Sequence, residues 1–326
     1  MMKAIRKGTN YARTTGNKKL KQAALCMCVF SGFCLFKKKH QHSDNEILKV
    51  GCAGALSQMV SELTLHCIDT VNVRCKGVKG SIRWYQMVEQ IVTKEGWGKF
   101  FVAINATFYA SLFGGFIYFS LYKLMKSRLK TGKESGESFS SFPRYFMSAI
   151  TAEMAALTVY FPFELIKTRL QTSNNVYKYA SLLDAFRKII NTSFDPRTWD
   201  PKALYSGSLP YFAMFTLYTT VQFSCYEEIM KLQKRNGNGS SEYSHLFKAS
   251  ILSGAIASLA SNWLEVLTVK KQINPNALIL DIFKEERFRI LVKGITPRLL
   301  FNMFQSVIIF TLLDRLCHSY GVEFDD

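Results

Sequence analysis

The chain has 326 residues, 48% of them hydrophobic and 14% aromatic, and its 42 basic against 24 acidic residues leave a net charge of +18. A basic excess of this size suits nucleic acid or an anionic membrane surface, but no zinc-finger spacing or RNA-binding signature is present, which sets nucleic acid aside. Eight cysteines without paired C-x-x-C units, and five histidines without ligand spacing, exclude a zinc site on pattern; no cofactor and no hydrolytic or redox constellation is expected, so the chain does not read as an enzyme.

The first 43 residues contain no acid but carry Lys3, Arg6, Lys7, Arg13, Lys18, Lys19, Lys21 and Lys37–Lys39. This acid-free, Ser/Thr-containing start has the composition of a mitochondrial targeting segment. Within it Ala23–Phe36 is apolar but short for a membrane span. A secretory signal is the competing reading, although Lys37–Lys39 rather than a small-residue cleavage site follows the run. Residues 1–46 are expected to form a basic extension able to dock a partner.

Beyond it, an apolar helix rich in small residues (Gly51, Ala53, Gly54, Ala55) runs into Cys67-Ile-Asp69-Thr-Val-Asn72-Val-Arg74. An amphipathic segment, Arg83–Lys94, precedes Glu95-Gly96 and the uncharged run Val102–Tyr122. The pattern returns: an apolar run into Pro162-Phe-Glu164-Leu-Ile-Lys167-Thr-Arg169, an amphipathic Ser181–Ile190, and the uncharged run Ala203–Tyr226. It returns again with Ala249–Leu264, then Trp263-Leu-Glu265-Val-Leu-Thr268-Val-Lys270, an amphipathic Ala277–Lys284, and an apolar helix ending at Leu313. The acids Asp69, Glu164 and Glu265 stand 95 and 101 residues apart. Val102–Tyr122 and Ala203–Tyr226 are long enough to cross a hydrocarbon core of roughly 30 Å, where backbone groups must be satisfied within a helix. A large soluble all-helical protein is the competing reading. A repeat period this long is unlike that of soluble solenoids.

These three registered octapeptides, with the downstream Glu-Gly and Lys293-Gly294 positions, resemble the mitochondrial carrier family over residues 47–318. The resemblance implies an all-α membrane protein: six tilted transmembrane helices in three repeats, short amphipathic helices on the matrix side, and a pseudo-threefold bundle. The expected divisions are the extension 1–46, repeats 47–128, 143–232 and 245–318, and a tail 319–326. The family further implies a matrix gate in which the acid of one repeat pairs with the base of a neighbour. Here the acid positions are Asp69, Glu164 and Glu265, but the base positions hold Asn72, Lys167 and Thr268, so at most one full ion pair is expected. Pro162 occupies the kink position of the second repeat, where Cys67 and Trp263 stand in the others. Arg74, Arg169 and Lys270 read as ordinary basic residues near the matrix surface. The opposite, cytoplasmic gate is equally incomplete: Tyr122 with Lys126, Tyr226 with Glu227, and Asp314 without a base in register.

Counting from Ala103, Gly207 and Gly294, the family's substrate-contact positions are Ala110, Met214, Phe215 and Phe301. All are apolar, and an anion placed there would lie unpaired in a poorly solvated cavity. Arg298, one turn earlier, is the remaining cationic candidate; snorkelling toward lipid headgroups is its alternative. Bound cardiolipin is expected at the helix N-termini marked by Gly207, Lys293 and Gly294. Incomplete gates and the apolar layer favour a structural or accessory subunit of an inner-membrane complex, such as one of the respiratory chain, partnered by other subunits of that complex and by membrane lipid. Alternatives are an active carrier for an unusual neutral or apolar solute, and a degenerate outer-membrane relative.

Overall fold

Backbone groups in lipid have no partner but one another, and the long apolar runs among the described residues are built of helix in the computed structural model. It describes residues 42–129, 142–172, 179, 181–191, 201–235 and 242–322, with no strand among them. Residues Asn45–Asp326 form one unit. The other, Met1–Asp44, is described only at residues 42–44, so the expected docking extension lies outside the described residues.

The repeats are visible in element order. The first comprises α1 (His42–Thr64), α2 (His66–Gly77), the short α3 (Trp84–Lys94) and α4 (Ile104–Leu129). The second comprises α5 (Phe142–Gln171), α6 (Leu182–Ile190) and α7 (Ser208–Arg235). The third comprises α8 (Glu242–Ile273), α9 (Ile279–Glu286), the single turn α10 (Arg289–Val292) and α11 (Ile295–Ser319). Among the described residues, four stretches are long and apolar enough to cross a membrane: Trp97–Lys126, Phe146–Gln171, Lys248–Ile273 and Arg289–Ser319. With α1–α2 and α7 in the corresponding places, the architecture is six long helical elements in three pairs.

Each short amphipathic helix buries its apolar face against the signature helix of its own repeat. Met87 and Ile91 of α3 pack on Val71 and Cys75. Ala185 and Ile189 of α6 pack on Phe161, Leu165 and Ile166. Ile282 of α9 packs on Leu264, Val266 and Leu267. Each large buried aliphatic side chain contributes about 1.5–3 kcal/mol, enough to hold helices that would be marginal alone. Ser181 starts α6 by accepting the Asp184 N–H at 3.1 Å. Small residues in α1 work as expected: Gly54 lies so close to Phe119 of α4 that a Cβ would fall 2.1 Å from its ring.

The three signature helices differ at the kink position. α5 continues through Pro162, which removes a backbone bond from its interior. α8 runs through Trp263 without interruption. In the first repeat the helix breaks at Leu65, two residues before Cys67. A histidine stabilises that break. His66 Nε2 lies 2.9 Å from the Val102 carbonyl and Nδ1 lies 3.1 Å from the Thr107 hydroxyl. The carbonyl can only accept, so Nε2 carries the proton and Nδ1 accepts from Thr107.

The even-numbered spans share an entry turn. Ala103, Gly207 and Gly294 all have positive φ, at 65°, 89° and 65°. Glycine takes this conformation freely; alanine does so against its Cβ. The register that aligns Ala103 with the two glycines is therefore a backbone fact.

Candidate functional site

At one end of the bundle the three signature helices meet: α2 contacts α5 and α8, and α5 contacts α8. Within each, the acid and the residue three positions on share a face, and these faces turn inward together.

Asp69 of α2 receives Lys167 of α5 at 3.1 Å. Lys167 also holds its own-helix neighbour Glu164 at 2.8 Å. Gln171 Nε2 donates to Asp69 Oδ2 at 3.2 Å and to Thr70 Oγ1 at 3.1 Å, bracing this pair. Across the next seam Asn72 Nδ2 donates to Glu265 Oε1 at 2.8 Å. Thr268 stays out of the ring; its hydroxyl donates to the Leu264 carbonyl of its own helix at 2.9 Å.

The expectation of at most one ion pair does not hold. Glu265 is met by two cations from outside the signature octapeptides: Lys76 Nζ at 2.8 Å and Arg298 Nη1 at 2.5 Å. Lys76 stands seven residues after Asp69, the place that Gln171 and Gln272 hold after Glu164 and Glu265. The cation missing from position 72 has moved one turn along the same helix. Its side chain is fully buried, and its stem crosses Gly294, where a Cβ would come within 3.0 Å of Lys76 Cγ. This shift in register was legible in the three aligned repeats, at a position outside the octapeptide. Arg298 neither snorkels nor waits for an anion. It is buried, and its Nη2 donates to Ser261 Oγ at 2.7 Å and to Met214 Sδ at 3.5 Å.

The second basic residue of each signature is not a surface residue either. Arg74 forks onto Glu95 at 2.6 and 3.1 Å, and its Nε donates to the Gln171 carbonyl at 2.7 Å. Arg169 Nε donates to the Gln272 carbonyl at 2.9 Å. Lys270 pairs with Glu286 at 2.7 Å. All three basic residues are buried. They read as peripheral in sequence because their partners are backbone carbonyls of another repeat and acids at or beside the amphipathic helices.

Of the four expected contact positions, Ala110 is buried, while Met214, Phe215 and Phe301 are half-buried. Phe215 meets Tyr118 edge-on with ring centroids 6.5 Å apart. A polar stripe of α11 passes beside them. Arg298, Asn302 and Gln305 share one face, and Asn302 Nδ2 donates to Ser258 Oγ at 2.6 Å. Gln305 Nε2 reaches Glu62 Oε1 of α1 at 2.9 Å, an acid that counting on the even-numbered helices could not find.

At the opposite end Tyr122 stacks on Tyr118 with centroids 6.1 Å apart, Lys126 is buried in α4, Tyr226 is half-buried in α7, and Asp314 is exposed on α11. Glu227 falls in α7, its side chain outside the described residues. Near the signature end a cavity of about 310 Å³ opens between the start of α3 and the start of α11, lined by Ser81–Tyr85, Val292 and Gly294–Pro297. Lys293 does not enter it: its Nζ is spent on Glu286 Oε1 and the Val78 carbonyl, each at 2.5 Å.

Comparison with known proteins fits this geometry. The family model for the mitochondrial carrier protein matches residues 43–133 and 138–237. An uncharacterized mitochondrial carrier of Schizosaccharomyces pombe is 26% identical over 274 residues, covering 82% of this chain and 73% of that one. Mitochondrial substrate carrier family protein X of Dictyostelium discoideum is 31% identical over 160 residues, covering 48% of this chain and 50% of its own. The mitochondrial nicotinamide adenine dinucleotide transporter 2 of Arabidopsis thaliana is 27% identical over 251 residues, covering 72% and 66%. The family match takes in more than half of the sequence and both of its first two repeats, and the chain belongs to the mitochondrial carrier family.

Proposed function

We propose that this chain is a solute carrier of a mitochondrial inner membrane that works by alternating access. One observation carries the reading: Glu265 is paired with Lys76 and Arg298 although the usual base positions beside it are neutral. A fold retained only as scaffold has no need to re-supply a buried cation from a new position, since apolar packing holds a bundle as well or better. Ion pairs that cross between helices are suited to a gate because they hold one end shut and exchange for water when it opens. The arrangement described here is the closed state of the signature end, which the family's topology turns to the matrix. The test is exchange in proteoliposomes made with cardiolipin. Purified protein is loaded internally with mixed metabolite pools, and saturable efflux stimulated by one external solute is expected. No exchange of any pool, with folded protein in the vesicles, overturns the reading.

The apolar layer favours a second reading, that of a structural or accessory subunit. Ala110 is buried, Phe215 leans on Tyr118, and Met214 is occupied by Arg298, so these positions offer little to a polar ligand. On that reading, mild-detergent native gels show the chain migrating well above its own 37.2 kDa. A monomer after cardiolipin-preserving extraction counts against it. Lipid belongs to either reading. The cavity at the start of α11 lies beside a helix N-terminus, which suits an anionic headgroup, with Arg83 among its lining residues and Trp84 and Tyr85 exposed at its rim.

A further inference from the structure

Glu62 is a carboxylate that the acid ring does not use, and unlike Glu153, which holds the Tyr160 hydroxyl, it faces side-chain amides. It lies on α1, seven residues before Asp69 and four after Gln58, part-way along the span. Its Oε1 accepts from Gln58 Nε2 at 3.0 Å and from Gln305 Nε2 at 2.9 Å. Its other oxygen, Oε2, has no partner among the described hydrogen bonds, and no cation lies within ion-pair distance of it among the described residues. The nearest ammonium, Lys167, is already held between Asp69 and Glu164. Arg298, two turns from Gln305 on the same face of α11, is committed to Glu265. An intramembrane carboxylate needs a cation or water to offset its burial, and two side-chain amides supply only neutral donors.

The site is also built rather than incidental. Two amides from two helices converge on one oxygen, fixing the carboxylate and leaving the second oxygen as its open acceptor. The neighbouring Asn302 is turned away onto Ser258, so Glu62 is the charged group that a solute meets along this face. An anion there would be repelled by it, and the cations that could compensate are engaged below.

We infer that Glu62 receives the positively charged nitrogen of the solute, making the transported class small amines or amine-bearing zwitterions rather than di- or tricarboxylates. This rests on the carrier reading and narrows its substrate. The hydrogen bond formed is charge-assisted, from an ammonium or guanidinium N–H to Glu62 Oε2.

The experiment uses the full-length purified protein in detergent with cardiolipin. Thermal unfolding is followed with agmatine, arginine and succinate as probes at matched ionic strength. Agmatine and arginine should raise the unfolding temperature and succinate should not. Glu62→Gln keeps the shape and both amide contacts; it should unfold like the parent without probe and need roughly tenfold or more agmatine for the same shift. Glu62→Asp should retain part of the effect. Equal stabilisation of the parent and Glu62→Gln, stabilisation by succinate alone, or none by either amine overturns the assignment. A carboxyl that merely takes up a proton gives the last of these results. Exchange in proteoliposomes separates the two proposals: transport insensitive to Glu62→Gln leaves the carrier and removes the site, whereas amine binding through Glu62 without exchange leaves the site and removes the carrier.

Discussion

Replacing Lys76 by glutamine gives the first repeat the residue that the other two carry at that place, and it should weaken the gate. Breaking one side of a buried ion pair costs roughly 3–5 kcal/mol when the surviving charge is stranded. Here Glu265 keeps Arg298 at 2.5 Å and Asn72 at 2.8 Å, and its side chain is 18% exposed. The loss should therefore fall below that range, at about 2 kcal/mol. At roughly 2–4 °C per kcal/mol, the unfolding temperature drops by about 4–8 °C. If the loss acts only on the closed state of this end, the balance between closed and open shifts by about thirty-fold. The double variant Asn72→Lys with Lys76→Gln returns the cation to the signature position and should recover most of both effects. Thermal unfolding and initial rates of exchange are measured for the parent, both single variants and the double variant, as a mutant cycle. A Lys76→Gln protein that unfolds with the parent, or a double variant no better than the single, refutes the relocation of the gate cation.

Four further perturbations test the surrounding structure. Ala103→Gly should stabilise by about 0.5–1 kcal/mol in thermal unfolding, because it releases a non-glycine residue from φ 65°. Gly294→Ala should destabilise by roughly 1–2 kcal/mol from its own φ of 65°, and by less in a Lys76→Ala background, where the crowding stem is gone. His66→Leu strands the Val102 carbonyl and the Thr107 hydroxyl and should cost about 2–3 kcal/mol. Glu286 supplies a pH test outside the membrane spans. Burial alone would raise its pKa, but hydrogen bonds from Lys270 and Lys293 outweigh burial and hold it below its ordinary 4.5. The ionised carboxylate thus contributes stability that is complete above that value and is lost as pH falls through the lower folded one. Glu286→Gln should unfold at lower temperature at neutral pH and lose less on acidification.

The architecture was legible in the sequence because hydrophobic length and a threefold register are local signals. Pro162, Glu164 and Lys167 identify one signature, and the amphipathic segments appear as α3, α6 and α9 close to their expected bounds. Even the odd residue Ala103 keeps the backbone of its glycine counterparts. The gate was only half legible. Its acids follow from spacing, but which cation meets Glu265 depends on reach across helices 189 and 33 residues away in the chain. A lysine has four rotatable carbons, so Lys76 can serve from one turn beyond the signature. Arg298 points to the acid ring because Ser261 and Glu265 lie on the facing helix, a fact of packing and not of periodicity. Glu62 is not legible from the register of the even-numbered helices because it lies on the first, and only packing brings Gln305 to it.

The restored charges do not make the ring symmetric. The seam between repeats 1 and 2 is closed by Lys167 on Asp69, and the seam between repeats 3 and 1 by Lys76 and Asn72 on Glu265. At the seam between repeats 2 and 3, Glu164 turns back to Lys167 of its own helix, and Thr268 bonds within its own helix. Uncharged partners cross there instead: Arg169 Nε donates to the Gln272 carbonyl and Ser206 Oγ to the Lys271 carbonyl, while Arg298 reaches Met214 Sδ. Opening this end must separate all three signature helices, but the acid–base cost falls on two seams. Lys167 can stay with Glu164 when Asp69 leaves, so its charge is never stranded; Lys76, fully buried, pairs with no other carboxylate among the described residues. The seam between repeats 3 and 1 is therefore the costliest to part. It is also the seam that Arg298 and Gln305 of α11 connect to Glu265 and Glu62. A solute drawn to Glu62 would compete for Gln305 on the same helix face that carries Arg298. On the proposed carrier reading, binding part-way along the bundle is joined through α11 to the ion pair that holds the end shut, which is the coupling a gated carrier requires.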